Sequence, residues 1–236
     1  MISFWQIECS LSIDAFNSHL SNPIFVGFMS GFFKMTLESV MAQKAPGPSA
    51  TFSVFHLMRA IEIIGHKEIG RGKLAESLKV GEGVARTIVR RLTDAGLIGV
   101  SKAGCFLTEK GLRLWEEYNS VVKKAEIDRS ELNPAGYSIA LLVRKRGSRV
   151  KSGMEQRDAA IMNGAKSAIT LRFEGGCLVI PSVSENVNKD FPKAAAQVLR
   201  ALKPEENDAI VIVTADDLEK AEWGALAAMW TFYNAE

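Results

Sequence analysis

Residues 80–96, Val-Gly-Glu-Gly-Val-Ala-Arg-Thr-Ile-Val-Arg-Arg-Leu-Thr-Asp-Ala-Gly, decide how the chain is read. Val80 to Gly83 is glycine-rich and predicts a tight turn. Val84 to Ala95 predicts a helix that stops at Gly96. At about 100° per residue, Ile88, Leu92 and Ala95 fall within about 80° of Val84 and form the stripe expected to be buried. Arg86, Val89, Arg90 and Thr93 fall on the far side, where Arg86 and Arg90 stand one turn apart and project together. An exposed basic stripe is what docking in the major groove requires, because arginine can donate two bonds to guanine or clamp a phosphate. A plain solvated helix face has the same pattern. Arg91 lies at the edge of the buried stripe, with its stem expected on the core and its head in water.

Working outward, Ala45-Pro46-Gly47-Pro48 breaks any helix and predicts a lead-in loop. Thr51 to Ile64 predicts a helix with Val54, Leu57, Met58, Ile61 and Ile64 on one face and Gly65 as its stop. Lys73 to Leu78 predicts a short second helix. After the 84–95 helix come two β-prone runs, 97–101 and 105–107, around Ala103-Gly104. Thr108 is placed to cap a fourth helix bearing Leu112, Leu114, Trp115 and Tyr118. This order is that of a winged helix-turn-helix, with the 84–95 helix for recognition and the hairpin as the wing. Lys102, near the wing turn, is a candidate phosphate contact. So are Arg71 and Lys73, where the second helix opens its free backbone N–H groups.

Beyond this, Glu126 to Pro134 is polar and ends in Asn-Pro, which predicts a boundary. Tyr137 to Val143 predicts a buried strand, Met154 to Met162 a helix, and residues 168–173 and 177–180 a hairpin around Gly175-Gly176. Asp190 to Leu202 predicts a helix, Ala209 to Val213 a buried strand, and Leu218 to Phe232 a long helix. The fold class is therefore α+β: an N-terminal winged helix-turn-helix, then an α/β domain of βαββαβ(α) order. A ferredoxin-like split βαβ sheet has this order, and other topologies share it. The expected organisation is an extension over 1–34, the winged helix over 35–125, a linker over 126–136, and the α/β domain over 137–236.

Composition excludes several classes. Of 236 residues, 47% are hydrophobic and 24% charged, which argues against wholesale disorder. The net charge of +2 names no partner, but its distribution is uneven. His66 to Ala125 holds twelve Lys or Arg against seven Asp or Glu, a balance of +5, whereas Tyr137 to Glu236 holds thirteen of each. The positive charge belongs to the winged-helix half, as a phosphate-backbone partner requires. The three cysteines, Cys9, Cys105 and Cys177, and the three histidines are scattered, so no metal site and no disulfide scaffold is expected. The expected setting is a reducing cytoplasm. No run approaches the roughly 18 apolar residues of a membrane span. The first 34 residues are rich in Phe and Ser and differ in composition from the rest of the chain. Either translation begins at Met35, or an N-terminal helix packs on a partner.

Certain motifs resemble one family across both halves. They are residues 45–52, Ile69-Gly70-Arg71, residues 80–88 and Phe106-Leu107-Thr108-Glu109-Lys110-Gly111 in the first half. In the second they are Gln156-Arg157-Asp158-Ala159-Ala160, Gly164-Ala165, Thr170-Leu171, Ala215-Asp216-Asp217, Ala221-Glu222 and residues 224–228. Together these resemble an archaeal family of winged-helix proteins with a C-terminal domain of unknown function (number 4443). The resemblance spans about Thr36 to Tyr233. It implies a transcriptional regulator whose C-terminal domain has no assigned ligand. Two departures are the N-terminal extension and Ser167, which stands where the family's turn has glycine.

Two spots in the second half are candidate ligand sites. Lys145, Arg146, Arg149 and Lys151 lie in a glycine-containing stretch ahead of a helix that carries Arg157 and Asp158, an arrangement suited to a small anionic effector. A solvated loop and a structural Arg157–Asp158 pair are the plainer readings. Asp216 and Asp217 end the last strand, where they suit a metal or a ribose; Asp217 equally suits a helix cap. The leading expectation is a homodimeric regulator that binds double-stranded DNA, without cofactor or catalysis. Dimerisation is expected from the apolar area of Leu112, Trp115 and Tyr118. The alternative is an enzyme or phosphometabolite-binding protein in which the basic loop holds phosphate and Asp216 and Asp217 hold a metal. No nucleotide-binding or hydrolase motif is present.

Overall fold

Phe33, Leu37 and Val40 recur at spacings of four and three, and this stripe lays α1 (Pro23–Ala42), the first helix among the described residues, onto the rest of the chain. The computed structural model describes residues 23–42 and 51–234; the lead-in loop at 45–48 and the sequence ahead of Pro23 lie outside the described residues. Helix α1 runs unbroken through Met35, and Phe33, two residues before it, is core.

Next comes the winged helix. Helix α2 (Val54–His66) begins after Ser53, whose N–H donates to His56 Nδ1 at 3.1 Å, so histidine fills the place that Glu or Gln takes in a capping box. Gly65 does not stop α2 as expected. A Cβ there would come within 2.9 Å of the Trp115 ring, so Gly65 admits the close approach of the helix that carries Trp115. Helix α3 (Arg71–Leu78) closes on Lys79, a left-handed residue, with Val80 N–H donating to Ala75 O at 3.0 Å. Helix α4 (Glu82–Asp94) starts two residues earlier than the pattern predicts. Strands β1 (Ile98–Val100) and β2 (Cys105–Leu107) form the antiparallel wing. Helix α5 (Glu109–Val121) is capped by Thr108 Oγ1, which accepts from Gly111 N–H at 3.2 Å.

Helix α5 passes without a loop into β3 (Val122–Ile127), a strand that the sequence pattern does not predict. It pairs along β4 (Tyr137–Val143) from Val122↔Val143 to Ile127↔Ser138. The alternating run Val122-Lys-Lys-Ala-Glu-Ile127 hides its apolar ends among charges, which is why it reads as helix end and linker. The polar stretch after it is ordered by a Ser130–Asn133 turn, and Glu131 accepts from Lys193 and Ala194 N–H at 3.1 and 2.9 Å.

The remaining elements are α6 (Met154–Met162), β5 (Ser167–Glu174), β6 (Cys177–Val179), α7 (Val187–Asp190), α8 (Pro192–Leu202), β7 (Ala209–Ala215) and α9 (Leu218–Thr231). The βαββαβα order is the expected one. All neighbours in the five-stranded sheet are antiparallel, in the order β3-β4-β7-β5-β6. Strand alternation sorts two faces. Ile139, Leu141, Val143, Val211 and Val213 join α6, α9 and the winged helix in one continuous core. Ala140, Leu142, Ile210 and Ile212 join Ala195, Val198 and Leu202 of α8 in another.

The ferredoxin-like topology is therefore corrected. That sheet puts the first and third strands of the βαββαβ unit at its centre and both helices on one face. Here β7 and β5, the fourth and second strands of the unit, are central, and α6 and α8 lie on opposite faces. Strands apolar on both faces, such as Ile139–Val143 and Ala209–Val213, require cover on both.

Candidate nucleic-acid interface

Helices α3 and α4 meet through the tight turn at Val80-Gly81, and α4 presents its basic face outward. Arg86, Arg90 and Thr93 are exposed, as the helical wheel predicts. Val89 is not: it is 5% exposed and packs in the core, which corrects its place on the outward face. The buried residues Ala85, Ile88, Val89, Arg91 and Leu92 span an arc of about 160° centred near Leu92 rather than Val84, so Val89, about 140° from Val84, falls inside it. Val84 itself is only half-buried. Thr93 Oγ1 donates back to Val89 O at 2.8 Å, leaving its lone pairs to accept.

Arg91 also differs from expectation. Its head does not reach water: the residue is 7% exposed, and Nη1 donates to Met41 O at 2.9 Å and Val40 O at 3.3 Å. The guanidinium lies 5.2 Å from the Phe52 ring. It satisfies the last carbonyls of α1, the end of a helix that favours a cation. No local spacing announces that role, because α1 lies some fifty residues away in the chain.

Arg71 and Lys73, both exposed, open α3. Backbone bonds between Ile69 and Cys105, at 2.8 and 3.2 Å, pin the link before α3 to the wing. Burial pushes the Cys105 thiol up, and the nearby Arg71 charge pulls the other way. Arg71 and Arg86 share an open pocket of about 350 Å³ with Gly72 and Glu82. Lys102 is exposed in the wing turn, which Ser101 and Gly104 close through Ser101 N–H to Gly104 O at 2.8 Å. Among the described residues, the side chains of Arg71, Lys73, Arg86, Arg90 and Lys102 make no hydrogen bond or ion pair.

The C-terminal cations are spent differently. Lys145, with φ 55°, donates its N–H to Asp208 Oδ1 at 3.0 Å and its Nζ to Glu206 O at 3.1 Å. Arg144 pairs with the fully buried Asp208. Gly147 and Ser148 N–H donate to Asn207 at 2.7 Å each. Arg146 lies 5.1 Å from the Tyr233 ring, with burial holding its guanidinium below its ordinary value, and Arg149 donates to Asn234 O at 3.3 Å. Lys151 is exposed at the end of this stretch. The loop is a clasp on the chain's own acceptors rather than a solvated segment. Arg157 pairs with Asp158 at 3.0 Å, both exposed.

Asp217 caps α9, accepting from Lys220 N–H at 2.8 Å, and Asp216 pairs with Lys166. The two candidate ligand spots do not converge. The clasp comes after Val143, which pairs with Ala209, whereas Asp216 comes after Ala215, which pairs with Tyr137. They stand at opposite ends of the sheet, about 20 Å apart at about 3.3 Å per residue. A site combining loop phosphate ligands with an Asp216–Asp217 metal is thereby overturned. Among the described residues there is no group of three or more His, Cys, Asp or Glu that could hold a metal ion, and no helix long and apolar enough to cross a membrane.

Sequence reasoning missed the contact between the halves. Glu62 is 6% exposed and accepts from Arg59 at 2.8 Å and Lys124 at 2.7 Å; Glu222 accepts from the same two cations at 3.2 and 3.1 Å. This closed ring joins α2, β3 and α9. Burial raises the Glu62 carboxyl, but Lys124 and Arg59 outweigh it and hold it below its ordinary range. Only the Arg59–Glu62 spacing is a sequence signal, because the other partners are distant in the chain. The apolar area assigned to dimerisation is likewise used within the chain. Tyr118 stacks on Phe33 at 5.3 Å, and Trp115 covers Gly65, leaving Leu112 exposed at 46%.

Two families match this chain. Residues 53–122 match the CggR N-terminal DNA binding domain, and residues 135–232 match the domain of unknown function DUF4443. A solved structure, a hypothetical protein from Pyrococcus horikoshii OT3, is 26% identical with a TM-score of 0.62, covering 77% of this chain and 92% of that one. No protein with a curated description matches. In chain order, a DNA-binding domain is followed by the domain of unknown function 4443, the same arrangement as in the family whose motifs the sequence resembles.

Proposed function

We propose that this DNA-binding protein is a sequence-specific transcriptional regulator. In this reading α4 lies in the major groove, with Arg86 and Arg90 at base edges or phosphates and Thr93 as an acceptor. Arg71 and Lys73 hold the backbone at the start of α3, and Lys102 holds it from the wing. The DNA-binding unit ends with α5, and the sheet with its helices senses an effector or mediates dimerisation. One observation supports the reading: the five candidate cations Arg71, Lys73, Arg86, Arg90 and Lys102 are exposed and unengaged among the described residues, whereas Lys145, Arg146 and Arg149 of the loop after β4 are engaged within the chain. A surface that keeps its charges unspent is suited to phosphates.

The test is fluorescence anisotropy on labelled genomic fragments, including the upstream region of the gene, at two salt concentrations. The expected result is tight binding to a subset with a steep salt slope. Arg86→Ala with Arg90→Ala should weaken binding and flatten the slope by about one unit per lost phosphate contact. An unchanged slope overturns the assignment. Homodimerisation belongs to this reading because two-fold operators favour two-fold proteins. Light scattering that gives a monomer mass at micromolar concentration, with and without operator, rules it out.

A further inference from the structure

A pocket of about 340 Å³ opens where α3 of the winged helix faces α9. Its floor is apolar: Leu226 is 2% exposed, and Trp223 is half-buried with its ring 4.6 Å from that of His56. One wall is the Arg59–Glu222 pair at 3.2 Å. Lys79 and Glu219 pair across it, joining the two halves. Lys79 is well exposed and Glu219 partly so. Asp217 also lines the space, but its carboxylate is committed to capping α9.

The charges here select the ligand. The volume is at the lower end for small-molecule sites, which run from about 300 to 1,000 Å³. Two cations face two anions as pairs. A purely anionic ligand would meet Glu219 and Glu222 beside its partner, and a purely cationic one would meet Lys79 and Arg59. A wholly apolar ligand would strip water from these pairs and return no hydrogen bond. A molecule with one carboxylate and one ammonium replaces both halves of the Lys79–Glu219 pair, and an apolar body covers Trp223 and Leu226. An ion pair this exposed holds little stability, so exchanging it costs little. We propose that this pocket is an effector site for a small zwitterion of the amino-acid class with an apolar side chain.

Its position couples it to the recognition helix, a consequence that rests on the DNA-binding reading. Lys79 is the left-handed residue that closes α3, its N–H bonded to Ala75 O and Glu76 O, and Gly81 caps α4 two residues later. A ligand that draws on the Lys79 side chain acts on the turn that sets α4 against α3. The loop after β4, expected to hold an anionic effector, is committed to the chain's own groups and lies at the other end of the sheet.

The experiment uses the full chain without DNA. Calorimetry and tryptophan fluorescence are run with L-leucine, L-methionine and L-phenylalanine, and with N-acetyl-L-leucine and isoamylamine as analogues lacking one charge. At least one amino acid should bind with a dissociation constant below about 1 mM, and each leucine analogue about tenfold more weakly than leucine. Glu219→Gln should weaken binding about tenfold with an unchanged melting temperature, and Trp223→Phe should abolish the fluorescence change while keeping heat of binding. Absence of heat and fluorescence change with all three amino acids overturns the proposal, and so does equal binding of either analogue. Because no DNA is present, that failure leaves the regulator reading standing, and failure of every DNA fragment leaves the pocket standing. Where both hold, the bound amino acid should change operator affinity at least about threefold, and an unchanged affinity overturns the coupling.

Discussion

Replacing Glu62 with glutamine tests whether the charged ring clamps the winged helix to the sheet. In the native ring two cations face two carboxylates. Glu62 is 6% exposed, and the side chains of Arg59, Lys124 and Glu222 are 22–29% exposed. Glu62→Gln preserves shape but leaves Arg59 and Lys124 with Glu222 alone, one unpaired positive charge beside β3. Removing one partner of a fully buried pair costs about 3–5 kcal/mol. Three members keep some contact with water, which reduces the expected loss to about 2–4 kcal/mol. For a chain of this size that lowers the melting temperature by about 5–12 °C. Urea unfolding followed by tryptophan fluorescence and by far-UV circular dichroism measures it. Trp115, Trp223 and Trp230 lie on both sides of the contact, so the two probes should share one midpoint before and after substitution. A second change, Lys124→Met, should recover part of the loss, with a coupling of about 1–3 kcal/mol. A loss under about 1 kcal/mol, or separate midpoints in the unsubstituted protein, would refute the clamp.

Contacts of α1 lead to two further outcomes. Burial pushes the Glu117 carboxyl from its ordinary 4.5 up to about 7, with Phe33 N–H donating to it at 3.2 Å and pulling the other way. An acid whose folded value lies above its unfolded one destabilises the fold where it is charged, so its contribution falls as pH rises from 4.5 to about 7 and is then level. Glu117→Gln should raise stability by about 1–3 kcal/mol at pH 8 and by much less at pH 4.5, read from urea midpoints; equal gains at both would contradict the burial argument. Phe33→Ala should cost about 3–4 kcal/mol, because the ring is 4% exposed and stacks on Tyr118; a loss below about 1 kcal/mol would show that α1 adds nothing to the core.

Legibility tracks the range of the interactions. The helix-turn-helix and wing are readable because their signals are local: the Gly81–Gly83 turn, the Thr108 cap, the three- and four-residue spacing of Leu57, Ile61 and Ile64. The outward placement of Arg86 and Arg90 is readable because an exposed arc on one helix depends only on its own periodicity. Val89 is misplaced by that reasoning because the centre of the arc depends on what packs against the helix, and Val84 is only half-covered. The roles of Arg91 and Glu62 are unreadable for a stronger reason: Met41 and Val40 lie 50 and 51 residues from Arg91, Lys124 lies 62 residues from Glu62, and no spacing rule announces these partners. Strand order fails likewise. The run of elements after Tyr137 is legible from alternation and turns, but which strands lie at the centre is set by cover on two faces, and both Ile139–Val143 and Ala209–Val213 are apolar throughout.

The joint between the halves limits how a signal reaches DNA. Regulators with a flexible linker can reorient whole domains, and the polarity of residues 126–136 suggests such a link. In the structure α5 becomes β3 at the bond between Val121 and Val122, and one apolar core runs from Phe33 through Leu57 and Leu114 to Val211 and Phe232. Swinging the winged helix away would expose that core and break the Glu62 ring, a cost near the whole stability of a domain. What can change at lower cost is the exposed rim. There Lys79 meets Glu219, both partly in water, at the C-terminal end of α3. Interfaces switch between a few packed arrangements rather than bending continuously, and the switch is made where contacts are cheapest to exchange. In this protein that place adjoins the turn into α4. Regulation by tilting α4 against a fixed sheet makes a distinct demand: hydrogen exchange should change at residues 76–85 when an effector binds, while β4 and β7 stay protected. Uniform loosening of the sheet would place the switch elsewhere.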